Sequence, residues 1–463
     1  MKPRQDRVTT PARTSLSPAA ARALLRPLAG AWKAHLAAFP GDPMGRQPVH
    51  SVYGGAHLFR ADTAKKLGGI ALAALRENAP VPSALETALG LDPRLAGKVY
   101  DRVVRKLESE AVEDYRIDFE DGYGDRPDQE EDAHAVQAAS ETARGHAEGT
   151  LPPFMGVRIK PLTAELAPRG LRTADIFIST LLSRTNRRLP AGFVVTLPKV
   201  VTHAQVSILA RALGAIEKAN RLEAGVLRME LMVETTQSVF SPPGEVALPA
   251  LIAAGGGRVR GAHLGSYDYT AACNITAPYQ SMNHPACDFA RHVMQVSLGG
   301  TGVTLSDGAT NVMPVGPHRA KAGEGLTAAQ QAGNREAVFR AWRLHYEQVR
   351  HSLRGGFYQG WDLHPAQLPS RYAAVYAFFL EGLDPVSARL RNFVERAARA
   401  TLHGEVFDDA ATGQGLLNYF LRALNCGAIG LGEIEATGLS AAEIQTRSFA
   451  RILETRRNRK AHP

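Results

Sequence analysis

The stretch DYRIDFEDGYGDRP, residues 114–127, holds five acidic side chains within twelve positions: Asp114, Asp118, Glu120, Asp121 and Asp125. Three of them sit at the end of what reads as a buried strand. Carboxylates crowded at such a place repel one another and lose hydration, so a compensating charge is required. A cation is the natural candidate, and the segments on either side of the strand test it.

Outward from residues 114–127 the chain alternates short β-type runs with helix-like segments. HSVYGGAHLF (50–59) precedes a mostly helical stretch to about residue 112, and EDAHAVQAASETARGHA follows DYRIDFED as a helix. Then come FMGVRIKPL (154–162) with TADIFISTLLSRT, GFVVTLPKV (192–200) with THAQVSILARALGAIEKAN, and LRMELMVET (227–235) with VALPALIAAG. VRGAHLGSYDYT (259–270) precedes HPACDFARHVMQVSLGG, GVTLSDGATNVMPV (302–315) precedes TAAQQAGNREAVFRAWRLHYEQVRHSL, and GFYQGWDLHP (356–365) is the eighth run. Thr202 with Gln205, and Thr327 with Gln330, have the spacing of capping boxes at helix starts.

Eight strand candidates alternating with helices predict a parallel α/β architecture, and eight is the number that closes a (β/α)8 TIM barrel. A doubly wound sheet is the alternative, but no GxGxxG follows the first strand. On this reading residues 1–49 are an N-terminal extension containing the helix AARALLRPLAGAWKAHLAAF, residues 50–370 the barrel, and residues 371–463 a C-terminal helical extension.

Composition bounds the function. At 463 residues, with 44% hydrophobic and 21% charged, the chain has an ordinary globular make-up. Its 54 Lys and Arg against 45 Asp and Glu give +9, which favours anionic ligands. Much of that excess lies in MKPRQDR and TRRNRKAHP, and no basic–aromatic motif or zinc-finger spacing accompanies it, so nucleic acid is not expected as a partner. No apolar run approaches the ~20 residues that span a bilayer. Cys273, Cys287 and Cys426 form no CxxC pair, which fits a reducing, cytoplasmic setting. The first 40 residues carry seven Lys or Arg against one Asp and no long apolar segment, unlike a secretory signal. They read as a frayed tail and a helix, with an organellar transit peptide as the alternative.

In parallel α/β enzymes the ligand sits at the C-terminal ends of the strands. Those ends read Asp118-Phe119-Glu120-Asp121, Arg158-Ile159-Lys160, Pro198-Lys199, Glu234-Thr235-Thr236, Ser266-Tyr267-Asp268, Ser306-Asp307 and Asp362-Leu363-His364. Each apolar run delivers a polar group at the same relative position. Glu234 ends one strand and Asp268 the next, and neighbouring parallel strands lie about 4.8 Å apart. Two carboxylates at such tips can share one cation, and all-oxygen ligation with few protein ligands suits Mg²⁺, with Mn²⁺ as its substitute. Asp118, Glu120 and Asp121 would then accept hydrogen bonds from metal-bound waters. As isolated residues, Glu234 and Asp268 read equally as helix N-caps.

His57, His263, His284 and His364 show no zinc spacing. His263 lies inside a strand and reads as a core histidine, whereas His57 and His364 lie at strand ends. Arg158, Lys160, Lys199 and His364 are candidate substrate contacts. Arg158 offers a carboxylate a two-pronged grip or stabilises an enolate oxygen, and a salt bridge to the DFED acids is compatible with either role.

These motifs, in this order, resemble the HpcH/HpaI aldolase and citrate lyase β-subunit superfamily. Its D-[LF]-E-D, R-[VI]-N, PK, E-T and G-x-x-D strands stand here as DFED, RIK, LPKV, VET and GSYD, and its late H-P-x-Q element as HPAQ. The resemblance covers about residues 50–410. It implies a TIM barrel binding Mg²⁺ through Glu234 and Asp268, with Arg158 as the catalytic arginine and Asp408, in GEVFD (404–408), as a catalytic acid or base. It also implies a trimer or hexamer. Lys160 departs from the family asparagine, and GAHLGSYDYTAACN is unlike an acyl-CoA lyase. The expected activity is Mg-dependent carbon–carbon cleavage of a hydroxy or keto acid, or of its CoA thioester, through an enolate. A malate-synthase-like condensation of acetyl-CoA with a keto acid, and a non-catalytic barrel binding a small anion or a partner protein, are the alternatives.

Overall fold

Each β run contributes four to six residues to one sheet: β1 His50–Gly55, β2 Asp114–Asp118, β3 Phe154–Arg158, β4 Val194–Leu197, β5 Arg228–Val233, β6 Val259–Leu264, β7 Thr304–Ala309 and β8 Gln359–Asp362. All neighbours are parallel. The sheet closes where β1 pairs with β8 through His50–Gly360, Ser51–Trp361 and Val52–Asp362. The expected TIM barrel is therefore the fold. The structure is a computed structural model that describes residues 14–41, 43, 45–320, 325–400, 410–435 and 438–461.

The strands are shorter than the sequence runs that predict them. HSVYGGAHLF leaves the sheet at Gly55 and turns through a 3₁₀ segment, Ala56–Leu58, while GVTLSDGATNVMPV is strand only over Thr304–Ala309. Strands tilted in a barrel have ladder partners over a limited height, so apolar sequence beyond it becomes loop. Both expected capping boxes form, with Thr202 and Gln205 opening the helix His203–Ala219 and Thr327 and Gln330 opening Ala328–Arg354.

Alternate strand residues face opposite sides of the wall. Ile117, Met155, Val157, Val195, Leu197, Leu231, Val233, Ala262 and Leu264 are buried in the main apolar core. The other set, pointing inward, is mostly polar: Ser51, Asp114, Arg116, Thr196, Glu230, His263 and Gln359 are all buried. Arg116 donates to Glu230 at 2.8 and 2.9 Å and pairs with Asp114, Ser51 donates to Asp114 at 2.5 Å, and Gln359 donates to Ser51 at 3.0 Å. Barrel interiors are more often filled by Val, Ile and Leu. Here an ionic network lines the lower barrel, and His263, expected as a core histidine, lies 3.4 Å from Glu230 within it.

The helix Leu368–Ala400 runs through Pro385 as one element, joining the segment SRYAAVYAFFLEGL to the start of the next, VSARLRNFVERAARA. Proline removes a helix hydrogen bond, but burial of Leu383 and Leu390 on either side holds the helix together. The shorter helices Ala410–Asn425, Leu431–Glu435, Ala441–Gln445 and Phe449–Ala461 follow. Glu433 ties them to the barrel by accepting from Lys98 at 2.6 Å and Arg102 at 2.9 Å. Among the described residues no helix is long and apolar enough to cross a membrane.

Candidate functional site

The tips of β2 to β6 bring the acidic tract and its partners together. Asp118, the last residue of β2, accepts from Arg158 Nε at 2.7 Å and Nη2 at 2.6 Å, and from the backbone N–H groups of Glu120 (3.0 Å) and Gly122 (2.7 Å). Arg158, at the end of β3, is 2% exposed, and its Nη1 lies 2.8 Å from Glu120 and 3.7 Å from Asp121. Burial works against its charge, but Asp118 and Glu120 outweigh that and raise its pKa above the ordinary arginine value. Lys199, two residues past β4, pairs with Glu120 and lies 3.3 Å from Asp121 and 3.6 Å from Asp268. Two cations of the chain itself thus meet the acidic tract, and a bidentate arginine is the stronger of them.

Glu234 follows β5 directly and is 1% exposed. Its Oε1 accepts the backbone N–H of Lys199 at 2.6 Å. Lys199 holds that peptide in the left-handed region (φ 49°), a conformation that costs a non-glycine residue energy and clusters at functional sites. Gly265 packs so closely on Glu234 that a Cβ there would overlap the carboxylate. Burial first, and then the charge of Asp268, push the Glu234 pKa up to about 8. Asp268 is not at the strand end itself but in the first turn of the helix Ser266–Ala272, with its side chain 45% exposed. Among the described residues no three His, Cys, Asp or Glu side chains converge as a cage. The pair does fit a hard divalent ion that keeps its waters: once ionised, Glu234 and Asp268 are acceptor-only groups that a cation would hold in that state, and Glu234 is buried with a single N–H on one oxygen.

The remaining candidates divide. Lys160 is buried, donating to the Phe119 carbonyl at 3.2 Å and lying 3.4 Å from Glu131. His364 caps the turn Pro365–Gln367, its Nδ1 accepting from Ala366 N–H at 3.1 Å, and burial lowers its pKa. His57 lies beside Tyr123 and His134, with ring centroids 5.6 and 6.0 Å away. Asp408 lies outside the described residues. Two of the polar strand tips turn away from the mouth. Asp307 binds Arg291 and Ser352 on the surrounding helices, and Asp362 is gripped by His50, His345 and Arg371. Both face outward and hold helices to the wall.

Sequence reasoning missed Tyr53 and Trp361. Their rings lie 4.3 Å apart, and the Arg158 guanidinium sits over both, 4.9 and 5.5 Å from the centroids. Tyr53 Oη reaches Met232 Sδ at 3.9 Å on the opposite wall. Trp361 Nε1 is buried without a hydrogen-bond partner among the described residues, as is Ser266 Oγ. The signal was the two-residue period: Trp361 precedes the outward Asp362, so its ring must point inward.

A family described as "Domain of unknown function (DUF6986)" matches residues 28–452. The chain belongs to that family. No curated protein matches its sequence. Among solved structures, a citrate lyase from Burkholderia xenovorans LB400 is similar at 16% identity and a TM-score of 0.53, over 87% of this chain and 99% of that one. A Haloferax volcanii malate synthase, as a ternary complex with pyruvate and acetyl-CoA, gives 15% and 0.43 over 70% and 69%. The citrate lyase β subunit of M. tuberculosis, complexed with oxaloacetate and magnesium, gives 14% and 0.38 over 72% and 97%. At these identities the first match speaks for the fold alone.

Proposed function

We propose that this chain is a metal-assisted carbon–carbon lyase acting on a small hydroxy or keto acid, or on its CoA thioester. The observation that carries the reading is the pair Glu234–Asp268: a buried carboxylate held by the Lys199 N–H and a half-exposed one 3.6 Å from the Lys199 ammonium, which also pairs with Glu120, the acid that faces the buried Arg158 guanidinium at 2.8 Å. Glu234 and Asp268 would hold Mg²⁺ or Mn²⁺, which as a Lewis acid polarises a pair of substrate oxygens.

The chain's own groups have separable tasks. Asp118 fixes Arg158 through Nε and Nη2, leaving Nη1 as the prong able to exchange Glu120 for a substrate oxygen. When the carbon–carbon bond breaks, its electron pair moves onto the carbonyl as an enolate, and a fixed guanidinium stabilises that charge without reorganising. Lys199 neutralises Glu120 and Asp121, which would otherwise repel an anionic substrate. Tyr53 and Trp361 form an aromatic wall behind Arg158, and the indole N–H, without a partner among the described residues, offers a donor to a carboxylate. Lys160 and His364 would shape the rim, Asp408 would move the proton, and the chain would act as a cytoplasmic homo-oligomer.

The test is isothermal titration with Mg²⁺, followed by a substrate screen that compares free acids with their CoA thioesters. An arm with acetyl-CoA and glyoxylate, read as free thiol, detects the condensing direction. Glu234→Ala is expected to lose Mg²⁺ binding and turnover while keeping the far-UV circular dichroism of the wild type. Full activity in that variant rejects the reading, and binding of pyruvate without turnover of any substrate favours a non-catalytic barrel.

A further inference from the structure

The N-terminal helix Pro18–Ala38 buries none of its residues. Leu24, Leu28, Trp32 and Leu36 follow one another at four-residue spacing, with Leu25 beside them and Phe39 just past the end. These six side chains are between 44% and 66% exposed. Residues four apart stack on one helix face, so they form a continuous apolar stripe. Arg22, Arg26 and Lys33 occupy an adjacent flank, and the helix has no acid. A stripe of this width is the mark of a helix that packs on something, because most helical stability in proteins comes from covering such a face.

A second bare strip lies where this helix joins the barrel. On the helix Pro285–Leu298, Phe289 and Val296 lie seven residues apart on one face, with Val293 between them half-buried against the core. Phe289 is 50% exposed and Val296 is 88% exposed, and Phe240 stacks on Phe289 at 6.0 Å. The tether is fixed at the foot of this strip: Gly41 N–H donates to the Gly300 carbonyl at 2.8 Å, and Phe39 and Pro40 pack toward Gly300 and Gly302. Held there, the N-terminal helix leaves its own chain with its stripe uncovered. At 1.5 Å per residue it spans about 32 Å, enough to overlie the whole of a helix about 21 Å long.

We infer that the stripe of one chain docks along the Phe289–Val296 strip of a second copy. A second copy is the occupant that covers both surfaces at once, since every chain presents one stripe and one strip. An anionic lipid surface would suit the basic flank but would leave Phe289 and Val296 bare. The contact closes as a twofold exchange or as a ring, depending on the rotation between copies.

The experiment uses full-length chains with Cys273→Ser, because Cys287 and Cys426 are buried. Chains bearing Trp32→Cys and chains bearing Val296→Cys are mixed and oxidised. A disulfide joining the two kinds of chain, at twice 49.8 kDa on a non-reducing gel, is the expected result. In the double variant the bond should form between chains; a bond confined to single chains, or none in the mixture, overturns the inference. Light scattering of Leu28→Glu/Trp32→Glu should show association weakened roughly 30-fold or more, the effect of losing one hot spot, with an unchanged circular dichroism spectrum. An undiminished assembly in that variant, or a wild-type monomer that sediments with phosphatidylglycerol vesicles, also overturns it.

Discussion

The backbone N–H of Lys199 lies 2.6 Å from Oε1 of Glu234, while the Lys199 ammonium reaches the other way, to Glu120 and toward Asp268. One residue therefore holds the buried carboxylate with its peptide and neutralises the acidic tract with its side chain. Lys199→Gly separates the roles, because glycine adopts the left-handed φ freely and keeps the N–H. The variant should fold with a lowered melting temperature, because Glu120 and Asp121 lose a counter-charge, bind Mg²⁺ more tightly because a competing positive charge 3.6 Å from Asp268 is gone, and lose turnover. Calorimetric titration beside an activity assay checks all three.

Glu234→Gln keeps an acceptor for the Lys199 N–H but removes a carboxyl that burial and Asp268 force to take up a proton on folding at neutral pH. In chelator at neutral pH it should be more stable than the wild type by about 1–3 kcal/mol, the scale of desolvating an unpaired polar group. Addition of Mg²⁺ should raise the melting temperature of the wild type and leave that of the variant unmoved. Equal Mg²⁺ responses in the two would remove Glu234 from the ion's ligands.

Asp118→Asn leaves Arg158 buried with half of its carboxylate grip gone. Breaking such a buried pair costs about 3–5 kcal/mol, which denaturant titration would show. Arg158→Lys keeps the charge but cannot make the two-pronged contact. Its kcat/KM should fall by about 10²–10³-fold, the range seen when one oxyanion donor is lost, with less effect on Mg²⁺ binding.

Trp361→Phe preserves the stack on Tyr53 and deletes the unpaired indole N–H. Loss of the donor itself should cost no stability, because the indole N–H has no hydrogen-bond partner among the described residues. If a substrate carboxylate uses that donor, KM should rise while kcat changes little. A variant with unaltered KM would leave the indole as wall alone.

Glu433 clamps the C-terminal helices to the barrel. Burial alone would raise its pKa, but the bonds from Lys98, the Gly430 N–H and Arg102 outweigh it and hold the carboxyl at about 2, below its ordinary 4.5. A folded pKa below the unfolded one means the clamp stabilises above pH 4.5 and fades as pH falls through about 2. Its worth after solvent screening is about 1 kcal/mol or less. Glu433→Gln should flatten that part of the stability–pH curve, and protease sensitivity of residues beyond 400 is the local readout.

The barrel was legible because strand runs of fixed character recur eight times with helix-forming segments between them. The tips of β2 to β6 were legible for a related reason: a charged residue ending an apolar strand has few neighbours able to explain it. The tips of β7 and β8 misled by the same logic. Asp307, inside β7, and Asp362, at the end of β8, turn their side chains into the helix layer and meet Arg291, His345 and Arg371, which lie up to 17 positions away. Trp361 and Tyr53 were overlooked because an aromatic in a strand reads as core on either face.

By itself the sequence determined the order of strands and helices, the acids at the strand tips and the excess of positive charge, all of which are local or additive properties. Only the tertiary structure decided which carboxylates share a space and which cations meet them. Arg158 and Asp118 are 40 residues apart in the chain and 2.6 Å apart in the fold. Electrostatic energy depends on that distance and on exclusion of water, and both are set when the barrel closes.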